Sequence, residues 1–221
     1  MVAAKIKPFA KPRPRAKQAL AKARSFSRGT VDRATLIALA KPWRDADVRE
    51  MERAMEDFEG DAFVVDGDLV VDGDFRTFDA GATWLTVRGN LIVKGLYEDI
   101  CGSGPDFVWI EGDLRATDVL TAGRLVVQGN VTAQRCIIGD YNDGGCDIQG
   151  DVDALLFAML DHPYRVKGVN RATYQLADER YKRIKKNETR WADIPFVEGV
   201  TPNGLDKRLR QRLPIIAAPK R

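Results

Sequence analysis

Histidine is almost missing from this chain: His162 is the only one in 221 residues. That scarcity excludes a histidine-built metal centre and leaves one candidate for imidazole acid–base chemistry. Cysteine is scarce too. Cys101, Cys136 and Cys146 are an odd number without paired zinc-ligand spacing, which suits a reducing cytoplasm with at least two buried thiols. No apolar run approaches 18 residues, so no membrane-spanning helix is expected. Residues 1–11 hold three lysines and Pro8 without the apolar stretch of a secretory signal. Also lacking are a phosphate-cradling glycine loop ending in Lys-Ser/Thr, a Gly-x-Ser-x-Gly phrase and a His-Glu-x-x-His phrase. Acid is absent from the first 31 residues, which carry nine Lys/Arg. Residues 32–164 then have a balance of −15 and residues 165–221 one of +9, an acidic middle between two basic ends.

What is present is a repeat. The phrase is apolar, any, Gly, Asp/Asn, apolar, any, small or apolar. It begins at Val65, Val71, Val87, Ile110, Val127 and Ile148, and decays at Val166, where the glycine alone survives. After the tandem first pair the starts lie 16, 23, 17 and 21 residues apart, about one solenoid coil per copy. Apolar residues alternate on either side of the glycine, as a half-buried strand requires. Gly67, Gly73, Gly89, Gly112, Gly129 and Gly150 are expected to turn a corner through a backbone angle closed to other residues. The residues after them, Asp68, Asp74, Asn90, Asp113, Asn130 and Asp151, are expected to stack as one column. Carboxylates about 4.8 Å apart repel by roughly 0.9 kcal/mol even in water, so alternating Asn with Asp relieves the column. The competing arrangement, six unrelated hairpin turns in a sandwich, does not require such shared flanks.

These features predict a mainly β chain: a single-stranded β-solenoid of about six irregular coils over residues 61–169, with α-helical caps at both ends. Residues 1–29 read as a basic flexible tail, with like charges and prolines. Residues 30–60 read as an N-terminal cap of two helices, 30–40 and 45–58, the second striped by Val48, Met51, Met55 and Phe58. Residues 170–221 read as a C-terminal cap and tail, with a helix over 170–186 capped by Asn170 and a short one over 205–213.

Candidate chemistry is sparse. His162 precedes Pro163 and reads as a surface-loop residue. Trimeric acyltransferases with left-handed β-helices use one histidine, and their six-residue repeat resembles the Val65/Val71 pair, but that period occurs once. The stretch from Asp140 to Gly145 resembles a calcium loop, yet its fifth and ninth positions, Gly144 and Ile148, offer no side-chain oxygen. No catalytic residue, cofactor or metal is therefore assigned, and an enzyme is not expected. The N-terminal Lys/Arg run could touch nucleic acid or anionic lipid, but no aromatic interleaving accompanies it.

The run of Val-x-Gly-Asp/Asn-Leu phrases resembles two bacterial groups. Over about 60–170 it is similar to bactofilins, polymer-forming cytoskeletal proteins whose β-helical core assembles end to end. Over about 60–216 it is similar to β-solenoid immunity proteins of polymorphic toxin systems, including a stretch like Phe196–Val200 through Leu209–Pro214. The second resemblance implies a cytoplasmic binding protein that neutralises a toxin by occlusion, and no functional residue is carried over from either group. The acidic middle itself points to Asp99, Asp106, Glu111, Asp118, Asp140 and Asp143 as a surface for a basic partner. The first resemblance implies self-association along the coil axis.

Overall fold

The structure is a computed structural model that describes residues 18–27, 61–99, 107–140, 144–177, 191–201 and 204–217. The helices expected over 30–40 and 45–58 lie outside these residues, as does most of the one expected over 170–186. Strand β1 (Arg24–Ser27) lies against the first coil. That coil comprises β2 (Asp61–Val65), β3 (Leu69–Val71), β4 (Phe75–Arg76) and one helical turn, α1 (Thr77–Ala80). The second is β5 (Ala82–Val87) and β6 (Leu91–Glu98), and the third is β7 (Phe107–Ile110) and β8 (Leu114–Thr121). The fourth is β9 (Arg124–Val127) and β10 (Val131–Gly139). The fifth is β11 (Gly145–Ile148), β12 (Val152–Asp153) and β13 (Leu156–Met159), after which β14 (Tyr164–Val166) and β15 (Tyr174–Ala177) start another pass. Every pairing between coils is parallel. The result is a β-solenoid of about five turns.

The count falls short of six because the tandem pair at Val65 and Val71 makes two corners of one coil. Asp74 accordingly stands outside the expected column. Its Oδ1 accepts the N–H of Leu96 at 3.0 Å, at a second corner where Gly95 lies over Gly73. The first-corner column is Asp68, Asn90, Asp113, Asn130 and Asp151, and each side-chain Oδ1 accepts the N–H of the residue at the same corner of the next coil at 2.7–2.8 Å. The glycines serve this column in two ways. Gly67 and Gly73 do adopt left-handed φ of 100° and 107°. Those above them are needed for space instead: a Cβ on Gly112 would sit 2.6 Å from Asn90 Oδ1. The decayed copy keeps Gly168 over Gly150, and Val169 closes the ladder by donating to Asp151.

Three arms enclose the core. Leu69, Leu91, Leu114, Val131 and Val152 form one buried stack, in register through the second arm. Beyond them the register slips between Val93/Leu96 and Ala133/Cys136, bending the sheet into a third arm. There Phe75, Tyr97, Val119, Ile137 and Phe157 face inward. The alternate residues Leu96, Leu120, Cys136, Ile138, Leu156 and Ala158 face out, yet they are buried beneath Ile194, Leu205, Leu209 and Ile215. Both faces of this arm are thus covered, which explains why its strands read as continuous apolar runs.

Both ends differ from expectation. Residues 18–27, assigned to a flexible tail, include Leu20 in the core and β1 antiparallel to β2, because the first strand's edge offers N–H and C=O groups that need partners. At the far end, residues 174–177 form β15 in parallel register with β13 in place of a helix, for the same reason. Asn170 caps no helix; its Oδ1 accepts the N–H of Ala172. Helix α2 (Leu205–Arg210) matches the expected short helix but ends early, because Arg212 takes a left-handed φ of 57°. Among the described residues, no helix is long and apolar enough to cross a membrane.

Leu114 is wholly buried in the second-arm stack. Leu114→Ala is expected to destabilise the chain by about 2–5 kcal/mol in a urea melt. A loss below about 0.5 kcal/mol would contradict the stack.

Candidate functional site

Polar groups gather at two corners. The first is the solvent-facing ladder. Asn90 and Asn130 also donate their side-chain N–H to Asp68 and Asp113, at 3.0 and 3.2 Å, so each amide sits on a carboxylate. Arg115 and Arg171 bind the outer oxygens of Asp113 and Asp151. Backbone N–H groups of Asn90, Asn130 and Val169 are the chief reason that Asp68, Asp113 and Asp151 sit below the usual carboxylate range.

The second cluster lies where the third arm turns back to the first, and it is buried. Asp99 is 0% exposed and accepts four hydrogen bonds: from the N–H groups of Ala122 (2.8 Å) and Gly123 (3.0 Å), the Thr121 hydroxyl (2.9 Å) and the Tyr97 hydroxyl (3.1 Å). Burial pushes its carboxyl up, while these N–H groups and the charge of His162 pull it down. His162 is also 0% exposed, so the surface-loop reading of it fails. It seats against Gly139, where a Cβ would meet its ring at 2.9 Å. Asp140, half-buried beside the same corner, is pushed up by burial and by Asp206 and Asp161.

The proposed acidic surface is dispersed by the fold. Asp99 is inside. Asp118 is 2% exposed on the covered face of the third arm, where Arg135 grips both its oxygens. Both side chains are buried and so are not open to a partner in this fold. Glu111 and Asp140 are half-buried, and Asp106 and Asp143 lie outside the described residues. Pairings that the sequence reading did not anticipate complete the electrostatics. Glu98 is held by Arg76 (2.9 Å) and Arg210 (2.8 Å), and Asp74 by Arg212 (2.8 Å). The charge split between the middle and the C-terminal third was the available signal for the last two pairings.

Burial raises the Cys136 thiol to about 12 and pushes Cys146 up as well, so both are protonated at neutral pH. Among the described residues, no group of three or more His, Cys, Asp or Glu side chains is placed to hold a metal ion. No protein-family model, curated protein or solved structure matches the chain.

Two outcomes follow. The ladder carboxylates, depressed in the fold, stabilise it above their unfolded value of 3.8, and that stability is lost as pH falls through the lower folded values. Urea midpoints should therefore fall as pH drops below about 4. Asp113→Asn, which keeps the acceptor oxygen, should show a shallower acid slope; an unchanged slope would remove Asp113 from the linkage. At the buried corner, Asp99→Ala strands two backbone N–H groups and should cost about 2–5 kcal/mol in a urea melt. Asp99→Asn keeps Oδ1 and should cost less than half of that; equal losses would show that charge, not acceptance, matters there.

Proposed function

We propose that this chain is a non-enzymatic β-solenoid binding protein of the immunity type, one that neutralises a basic bacterial toxin by occlusion. One observation carries the reading. The outward residues of the second arm, Val70, Ile92, Arg115, Thr132 and Asp153, are held in register on five successive strands. Most are exposed: Val70 is 51% accessible, and Arg115, Thr132 and Asp153 are open to solvent. Five strands about 4.8 Å apart give a flat platform about 19 Å long, which backbone pairing fixes before any partner arrives. A preformed surface loses little freedom on binding. At its rim stand the carboxylates of Asp68 and of Asp72, the latter 81% exposed and ion-paired with the exposed Lys94 at 2.8 Å. The acidic contact therefore moves from Asp99 and Asp118 to this face, where complementarity speeds encounter with a basic protein.

A second reading, a bactofilin-like polymer, draws on a different observation. Among the described residues, β3 and β15 at the two ends of one sheet, and β14 at an end of the other, have a pairing strand on one side only.

One pair of measurements separates the two. Tagged full-length protein should retain a basic protein at about 0.1 M salt and release it at several-fold higher salt, as screening shortens the reach of exposed charge. Asp72→Lys with Asp153→Lys should cut retention about tenfold, a loss of roughly 1.4 kcal/mol. Retention indifferent to both changes would refute the platform. In light scattering the binding protein should keep one molar mass across concentrations, whereas mass rising without limit would favour the polymer.

A further inference from the structure

The first arm (β2, β5, β7, β9, β11 and β14) is apolar on both faces over its first four strands. Leu85, Val108 and Leu125 point into the core, so by strand alternation Trp84, Phe107, Trp109 and Val126 point outward. Outward does not mean exposed here: Trp84 is 2% accessible and Trp109 3%. Trp84 and Phe107 stack at 4.4 Å, and the Trp84 indole N–H donates to Thr86, also outward and buried, at 3.0 Å. Two indoles and a phenyl ring at that burial mark a covered face. The patch begins at the buried Ala62 and Val64 of β2 and gives way to Asp147 and the exposed Arg165 on β11 and β14. From β2 to β9 it crosses three strand spacings, about 14 Å. On β2 itself the inward Phe63 and Val65 are only partly buried. A cover laid over the flank produces that order, whereas a cap seated on the end of the coil would bury Phe63 and Val65 first. Ile194, Leu205, Leu209 and Ile215 serve the third arm. Among the described elements, those packed on β5 and β7 are chiefly their strand neighbours and α1.

We infer that this aromatic face is the docking site of the chain's own residues 45–58, held through Val48, Met51, Met55 and Phe58. Three observations select that occupant. Strands β1 and β2 are neighbours at one edge of the sheet that carries the patch, so the connection from Ser27 to Asp61 leaves and returns beside it. The stripe has helical spacing, and a helix over 45–58 is about 21 Å long, enough to cross the patch. The connection over 178–190 leaves instead from β15 in the other sheet and rejoins at Trp191, which packs against the covered face of the third arm. Two methionines opposite two indoles also suit each other, since a thioether packs favourably on aromatic rings. Residues 45–58 are then a flank cover and not a cap on the end of the first coil. This contact is on a different arm from the platform and does not depend on the toxin-binding reading.

The test uses the full chain with Trp43→Phe and Trp191→Phe, so that tryptophan emission reports Trp84 and Trp109 alone. In that background, Met51→Asp with Met55→Asp should shift the emission to the red and raise acrylamide quenching several-fold. Tyr181→Asp with Ile184→Asp should leave both where they were. Quenching that ignores the Met51/Met55 pair, or that responds equally to the Tyr181/Ile184 pair, overturns the proposal. If the Met51/Met55 variant loses its cooperative melt, a photocrosslink decides. Trp109→benzoylphenylalanine in the otherwise native chain should, on irradiation, attach to residues 45–58 in a product of single-chain mass at every concentration. Products confined to any other segment, or to a second chain, refute the dock.

Discussion

At the first corner of every coil, one side-chain oxygen captures the N–H of the residue at the same corner of the following coil, and the solenoid is assembled on that bond. A parallel sheet needs a long crossover between paired strands. Here the crossover is the remainder of a coil, of unequal length each time, so strand pairing alone leaves the vertical position of each turn loosely set. The oxygens of Asp68, Asn90, Asp113, Asn130 and Asp151 fix it. Each such bond contributes about 1 kcal/mol net, modest singly but repeated through the stack. The apolar column begins immediately after the corner, so a corner held in place puts Leu91, Leu114, Val131 and Val152 over one another. Asp99 does the same work at the buried corner with two N–H groups, at the cost of desolvating a carboxylate.

Charge in this molecule is largely settled internally. The acidic middle is met by arginines on adjacent coils, such as Arg135 on Asp118 and Arg165 on Asp147, and by the basic C-terminal third through Arg210 and Arg212. The left-handed backbone of Arg212, unusual for a side chain of this size, turns the chain at the end of α2 and coincides with the reach to Asp74. Strain of that kind persists where neighbouring contacts hold it, and here the apolar contacts of Leu209 and Ile215 lie on either side.

The solenoid was legible because its repeat states both the strand period and the corner chemistry within seven residues. Five of the six expected corner residues, Asp68, Asn90, Asp113, Asn130 and Asp151, form the expected column. The sequence reading erred where a local phrase had two tertiary meanings. The tandem Val65/Val71 pair satisfies the motif twice, but a coil has more than one corner, and nothing local tells which corner a glycine serves. Residues 174–177 carry a helical apolar stripe that also reads as alternation over four residues, and the waiting edge of β13 decided between them. Asp99 and His162 were assigned to the surface by residue type. Their burial depends on which donors the next coil brings, and that follows from stacking, not from neighbours in sequence. Two members of the expected acidic surface, Asp99 and Asp118, are inside for the same reason: counting carboxylates along a chain does not reveal which donors stacking will bring to them.

The alternation of carboxylate and amide along the corner has a bearing on how such a chain can lengthen. Duplicating one coil would set like upon like: Asp on Asp repels, and Asn on Asn forfeits the carboxylate that its amide now binds. Duplicating two coils together reproduces the order Asp, Asn, Asp, Asn without a fault. The unit of growth compatible with this corner is therefore a coil pair, and a lineage that gained or lost turns singly would have to exchange a corner residue at each step.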